Sequence, residues 1–460
     1  MSYSKTIYYL YSLQKYGIKF GLDNIARLLS SLGNPHTSFP SIHIAGTNGK
    51  GSTSAIIASV LKSAGLKVGL FTSPHLVSFT ERIRINGEEI TETEVIALTD
   101  EVREIVARSG DFSPTFFEVV TAIALKYFKR KKIDIAVVEV GMGGRLDATN
   151  IITPAVSVIT NISYDHMKFL GNTLKEIATE KTGIIKDRVP VVISSQAPEV
   201  LEIIESKAKE KNAEACLYGR DFSSVLKRED LSGIYFDYKS RDTFTIDDLY
   251  LPLVGEHQLQ NVSVAIKTVE LLSKKISTLF SFPVSHFIRD GLSSVRWLGR
   301  LEIIKENPTI LIDGAHNPAA AEALSDALKK IFLRKYKKVI LVLGIMGDKD
   351  IKGIIRPLLP LASKIILTSP DYERAASPER IAGIAVSLGF HDVRIASSVK
   401  DALEMAMNDS DKLKENKISK FKTQISKLNS SLIVITGSFY TIGEAKEVIG
   451  QKGVLTRLRE

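Results

Sequence analysis

Residues 42–53 read Ile-His-Ile-Ala-Gly-Thr-Asn-Gly-Lys-Gly-Ser-Thr, an apolar run that passes through glycines into a lysine and two hydroxyls. Glycines let the backbone curl until consecutive N–H groups face one anion; a helix start beyond them adds partial positive charge, and Lys50 adds a full one. Such a cradle suits the phosphates of a nucleotide. The spelling departs from the common phosphate loop, which has four residues between its glycines and a hydroxyl directly after the lysine. Here two residues separate Gly46 from Gly49, and Gly51 stands between Lys50 and Ser52. A plain strand-to-helix turn could use the glycines but has no need of the lysine and the hydroxyls. A nucleoside triphosphate also brings magnesium, which takes a few oxygen ligands plus water. Glu139 is the first candidate for that ion. His166, by residue type alone, reads more as a satisfied loop histidine than as a ligand.

These residues need elements that bring them to one edge. Apolar runs at Ser41–Ala45, Lys67–Thr72, Ile133–Val140, Ala155–Thr160 and Val189–Ser194 alternate with helix-length segments. Continuous runs of this kind suit parallel strands covered on both faces. A second series follows Arg300, at Thr309–Asp313, Lys338–Gly344, Ser363–Thr368, Asp392–Ala396 and Leu432–Thr436, with helical stretches such as Ala319–Leu328 between. The expected class is therefore α/β: a phosphate-loop-type ATPase domain on a mostly parallel sheet, then a second doubly wound α/β domain. We place the division at 1–296 and 297–460, with the hinge near Val295–Arg300. The aromatic, Thr-rich and charged stretch Cys216–Leu253 reads as a small antiparallel insertion. Ligands of open parallel sheets gather at the carboxyl ends of strands. Glu139, the pair Asp165-His166, and Ser73 with His75 all follow strand-like runs in that way.

With 460 residues, 44% hydrophobic and 25% charged, the chain has the composition of a globular enzyme of two domains. No apolar run approaches the roughly 20 residues that cross a bilayer, and the N-terminus lacks a signal-like apolar core, so the expected location is the cytoplasm, without a membrane partner. One cysteine, Cys216, excludes an internal disulfide framework and any multi-cysteine zinc site. The net charge of +9 could serve nucleic acid or polyanionic small molecules. Part of it lies in Asp409–Lys427, with six lysines against three acids and apolar residues at helical spacing. That segment reads as a solvated amphipathic helix.

The loop does not stand alone. Thr72-Ser73-Pro74-His75, Phe116-Phe117-Glu118, the run Glu139 to Asn150, Tyr164-Asp165-His166, Glu180 to Ile184, Gly255 to Asn261 and Asp313 to Pro318 occur in order along nearly the whole chain. Together with the loop they resemble the folylpolyglutamate synthase/dihydrofolate synthase family of the Mur ligase superfamily. The resemblance implies an ATP-dependent ligase that joins the amino group of L-glutamate to dihydropteroate, to the γ-carboxyl of a folate, or to both, through an acyl phosphate. It implies that Gly49, Lys50, Gly51 and Ser52 hold phosphates, with Asn261, Arg300 and Asp313 as nucleotide contacts from the later part of the chain. Two magnesium sites are implied, one near Ser52 and one at Ser73, Glu139 and His166. Lys50, Lys181 and His166 become the catalytic set, with Lys181 carbamylated. Thr115, Phe116, Phe117 and Glu118 with Leu146, Asp147 and Ala148 would hold the pterin, and Arg82, His316 and Ser438 would hold glutamate. The family expectation is a monomer.

Two departures stand out. Leu298 occupies a position before Gly299-Arg300 where the family commonly has proline, and the lysine-rich stretch after Met407 is longer than expected. Among rival readings, a folylpolyglutamate synthase without the first ligation fits the same motifs. Another Mur-type amino-acid ligase fits less well, because Gly51 and Phe116-Phe117-Glu118 favour the folate branch. A basic nucleic-acid-binding ATPase needs a basic groove with interleaved aromatics, which the sequence does not display. We therefore expect small-molecule substrates and no nucleic acid.

Overall fold

Parallel strands must bury both faces, and the apolar runs supply side chains for both. The computed structural model describes residues 2–17, 21–108, 110, 112–241, 244–415 and 431–450. Its first sheet has eight strands in the spatial order Glu88–Glu89, Ile83–Ile85, Val68–Phe71, Ile135–Glu139, Ser41–Ala45, Val156–Ile159, Val191–Ile193 and Ala215–Leu217. Six of these pair in parallel, and the two short strands at one edge are antiparallel.

Alternation along each strand divides the core. Ile42, Ile44, Ile135 and Val137 face the helices Lys50–Ser63 and His257–Lys275. Ala136 and Val138 turn to the other side, onto the helix Phe116–Lys131 and the N-terminal helices. Fully burying one such aliphatic side chain stabilises by about 1.5–3 kcal/mol, so the central strands anchor everything their ends carry.

The second sheet runs Glu302–Glu306, Thr309–Ile312, Ser431–Thr436, Lys338–Leu343, Lys364–Leu367 and Val393–Ile395, parallel except for its first strand. Leu311, Leu341 and Val434 pack on one face towards the helix Pro318–Lys330. Ile312, Ile340 and Ile435 pack on the opposite face, with Leu403 of the helix Val399–Glu415 and Ile442 of Phe439–Val448. This is the Mur ligase fold of two α/β domains.

The antiparallel insertion is a three-stranded sheet of Phe222–Asp230, Gly233–Ser240 and Thr245–Leu251. It begins later than the expected Cys216, because Ala215–Leu217 pairs in parallel with Val191–Ile193 and closes the first sheet. The basic segment is covered only in part. Asp409 is buried, in ion pairs with Arg394 and Lys364, so the start of that segment packs inward; its residues 416–427 lie outside the described residues. Among the described residues no helix is long and apolar enough to cross a membrane.

Candidate active site

The order of strands sets the order of side chains. Val68–Phe71, Ile135–Glu139, Ser41–Ala45 and Val156–Ile159 are consecutive neighbours, so their carboxyl ends present Ser73, Glu139, the Gly46–Gly49 loop and Asp165-His166 in a row. Neighbouring strands lie about 4.8 Å apart, which brings all four groups within reach of one triphosphate.

The loop is shaped by close approaches that only glycine permits. Gly49 caps the helix Lys50–Ser63 with φ 89°, and a Cβ there would lie 2.3 Å from Asn261 Oδ1. At Gly46 a Cβ would lie 1.8 Å from Thr160 Oγ1. Gly51, the inserted residue, faces the indole of Trp297, whose Cζ2 would be 3.1 Å from an added Cβ. The loop is therefore wedged between Thr160, Asn261 and Trp297.

Behind the loop two cations converge. Lys50 Nζ donates to the carbonyls of Gly46 and Thr47 at 3.2 and 3.3 Å, and Lys181 Nζ donates to Gly46 at 2.9 Å. Lys181 stands in the last turn of Leu174–Thr182, a helix started by a capping box between Thr173 and Glu176. Burial, with Lys50 as the second cause, brings the Lys181 pKa down from 10.5 to about 7 against the pull of Asp165 and Asp147. Glu139 shifts the opposite way. Burial lifts it to about 7, opposed by Lys50, the Ser73 amide at 3.2 Å, Arg300 and Arg82.

The residues fit a hard divalent cation. Among the described residues there is no group of three or more His, Cys, Asp and Glu that could hold a metal ion. Magnesium does not require one, since it binds through one or two carboxylates and keeps several waters. A buried carboxyl drawn up to about 7, bonded to the Ser73 amide and sharing its cleft with the hydroxyl-bearing Ser73 and Ser52, is the donor chemistry such an ion would pull back to the anion.

Across the cleft stands a seam between the two domains. Asp165 pairs with Lys349 Nζ at 2.5 Å, both side chains under 10% exposed, and with His316 Nε2 at 3.4 Å. Asn317 Nδ2 reaches the same carboxylate at 3.3 Å and also donates to Asn48 Oδ1 in the phosphate loop at 3.0 Å. Burial works against the Asp165 carboxylate, but its hydrogen bond to His316 and the charges of His316, His166 and Lys349 hold it well below the usual range. His316 Nδ1 donates to the Gly314 carbonyl at 2.7 Å, which leaves Nε2 to face Asp165.

One cleft of about 840 Å³ collects nearly every residue singled out in the sequence. Gly49, Lys50, Gly51, Ser52, Ser73, Glu139, His166, Lys181 and Asn261 line it from the first domain; Arg300, Asp313, His316 and Ser438 line it from the second. Thr115, Phe116, Phe117, Glu118, Leu146, Asp147 and Ala148 form a further stretch of the wall. Phe117 presses on the glycine loop, where a Cβ at Gly141 would lie 2.5 Å from its Cζ. Phe116 stacks on Tyr11 with centroids 5.2 Å apart. Glu118 Oε2 also closes the capping box of its helix, accepting from Thr115 N, Thr115 Oγ1 and Asn24 Nδ2. Both oxygens of Asp313 accept backbone N–H groups, from Leu301 and Ala315, and Arg300 lies over the Phe439 ring at 4.9 Å.

Arg82 is the exception. It lies behind the wall, 1% exposed, with Nε donating to His75 Nδ1 at 2.8 Å and its guanidinium 5.4 Å from the Phe116 ring centroid. Lys349 and Asn48 were missed in the sequence. Lys349 follows the strand Lys338–Leu343, so the strand-end rule that found Glu139 could have found it too.

Fold and site together define an ATP-dependent amino-acid ligase with two α/β domains closed over a nucleotide cleft. Residues 44–269 match the Mur ligase middle domain, and residues 299–417 match the Mur ligase, glutamate ligase domain. The chain belongs to the folylpolyglutamate synthase/dihydrofolate synthase family. It is 35% identical to the folylpolyglutamate synthase of Lacticaseibacillus casei, over 98% of this chain and 99% of that one. To the dihydrofolate synthase/folylpolyglutamate synthase of Bacillus subtilis it is 35% identical, over 94% and 96%. The structure of Mycobacterium tuberculosis folylpolyglutamate synthase complexed with ADP superposes with a TM-score of 0.87 at 33% identity, covering 98% of this chain and 99% of that one.

Proposed function

We propose that this ligase joins L-glutamate both to dihydropteroate and to the γ-carboxyl of reduced folates. The observation that carries the reading is the single cleft in which the Phe116-Phe117 wall meets the phosphate loop beside Lys50, Lys181 and Glu139. A flat heteroaromatic ring suits aromatic walls, and its carboxylate end then falls towards the cationic centre. The double name of the Bacillus subtilis relative supports the two-acceptor reading.

The acceptor carboxylate attacks the γ-phosphorus of ATP, ADP leaves, and the amino group of glutamate attacks the acyl phosphate carbon. Loss of a proton from nitrogen and departure of inorganic phosphate complete the amide. Three anions must meet for this, so the chain supplies cations. Lys50 and the loop amides hold the phosphates, while Arg300, Asn261 and Asp313 hold the nucleoside side. Magnesium, held near Ser52 and at Ser73, Glu139 and His166, would offset phosphate charge between the reacting groups. His316 and Ser438 face the amino acid, and Arg82 adds positive charge from behind the wall.

Lys181 fits a carbamylated lysine. Depressed to about 7, its amine is substantially neutral at neutral pH and can attack carbon dioxide, releasing one proton and leaving a carbamate. The product places an anion beside Lys50. We place the protein in the cytoplasm as a monomer.

Purified protein is incubated with ATP, glutamate and either dihydropteroate or a reduced folate, and phosphate release and product mass are followed. Turnover of both acceptors is expected. Product from the folate alone reduces the activity to polyglutamylation, and phosphate release driven by DNA or RNA instead would overturn the reading.

A further inference from the structure

A short helical turn, Met167–Leu170, follows His166 directly. Among the described residues ten large apolar side chains are exposed, and Phe169 alone of these also lines the cleft. Single exposed apolar residues are common on protein surfaces, but one on the rim of a ligand cleft is dry only when the cleft is filled.

The turn is held to the wall already described. Leu170 is buried with Ile177 and Ile184, and a Cβ at Gly143 would lie 3.1 Å from Leu170 Cδ2. Gly141 lies against Phe117 at the other end of the same glycine loop. The loop Gly141–Gly144 therefore connects two aromatic stations, Phe117 inside and Phe169 at the rim. Leu170 fixes the turn while Phe169 stays 36% exposed, with Lys168 Nζ 5.9 Å from its ring centroid.

We propose that Phe169 is the outer wall of the acceptor site, covering the aromatic part of the acceptor and setting its affinity while leaving nucleotide and glutamate binding alone. This rests on the folate-ligase reading above and deepens it. Stacking of an aromatic ligand on Phe169 strengthens acceptor binding by about tenfold, the scale of one aromatic pair.

The test uses the full-length enzyme and dihydropteroate or a reduced folate as the varied substrate, with acceptor Kd read from its own fluorescence. Phe169→Ala should raise acceptor KM and Kd about tenfold, with the KM values of ATP and glutamate within about twofold. Phe169→Tyr should restore both, and Phe169→Leu, which keeps bulk without a ring, should fall between. Met167→Ala removes an exposed neighbour that does not line the cleft and should change nothing. Acceptor KM unchanged in Phe169→Ala and Phe169→Leu, while wild type turns over, defeats this assignment alone. Equal increases in Met167→Ala do the same. Wild type that uses neither acceptor defeats the function itself and this assignment with it.

Discussion

Lys50 and Lys181, 131 positions apart in the chain, donate to the same oxygen, the Gly46 carbonyl, at 3.2 and 2.9 Å. The Lys50 charge disfavours a second ammonium on that carbonyl and, after burial, is a cause of the low Lys181 pKa. Converting Lys181 to a carbamate turns repulsion into attraction. Lys181→Ala should lower kcat by about a hundredfold, on the scale of losing one preorganised charge in a dry site. Added acetate should restore part of the rate. An unrescued variant with normal activity would rule the modification out.

Substitutions in the phosphate loop should separate by the room each glycine has. Gly49→Ala meets both a left-handed φ of 89° and Asn261 Oδ1 at 2.3 Å, so a cost of about 1–3 kcal/mol and a large increase in ATP KM are expected. Gly51→Ala meets only the Trp297 indole edge, at 3.1 Å. It should be milder and should shift the emission of Trp297, the only tryptophan in the chain. Equal damage from both, read by ATP titration and melting temperature, would contradict the packing argument.

The Asp165–Lys349 pair is buried on both sides of the domain seam. Removing one partner of such a pair leaves an uncompensated charge, at a cost of up to about 3–5 kcal/mol. Lys349→Met should therefore loosen the closed arrangement, although His316 and Asn317 still reach Asp165. An increased radius of gyration in small-angle scattering, reversed when Asp165→Asn is added, is the expected result. No expansion in the single variant would show that the pair does not hold the domains.

His43 makes the fold acid-sensitive. It is fully buried under the loop, with Nε2 on Thr149 Oγ1 at 2.8 Å, and among the described residues its Nδ1 meets no partner. Burial, then the charge of Lys186, brings its pKa from 6.5 to about 3. Between these values the unfolded chain binds more protons than the native one, so stability is lost as pH falls through that window. His43→Gln should remove a loss on the order of a few kcal/mol. Identical urea midpoints for variant and wild type from pH 6.5 down to pH 4 would exclude His43 as the cause.

Much of this site is local chemistry and was legible residue by residue. The strands Ser41–Ala45, Ile135–Glu139 and Ser431–Thr436 follow from apolar runs, and the phosphate cradle from glycines, a lysine and hydroxyls within eight positions. Hydrophobic periodicity and turn chemistry act over a few residues, so one sequence carries them. Strand order does not. That Glu139 stands beside the loop, with Ser73 on one side and His166 on the other, depends on which strands neighbour which, a choice made by the packing of whole layers. The seam is further still from local pattern: Asn48 meets Asn317 across 269 positions, and Asp165 meets Lys349 across 184. The chain alone determined an ATP-binding α/β ligase and its candidate groups. Only the tertiary structure decided that Arg82 sits behind the wall, that Lys181 shares a carbonyl with Lys50, and that Lys349 faces Asp165, because the first two form only once distant segments of the first domain have packed and the third only once the two domains meet.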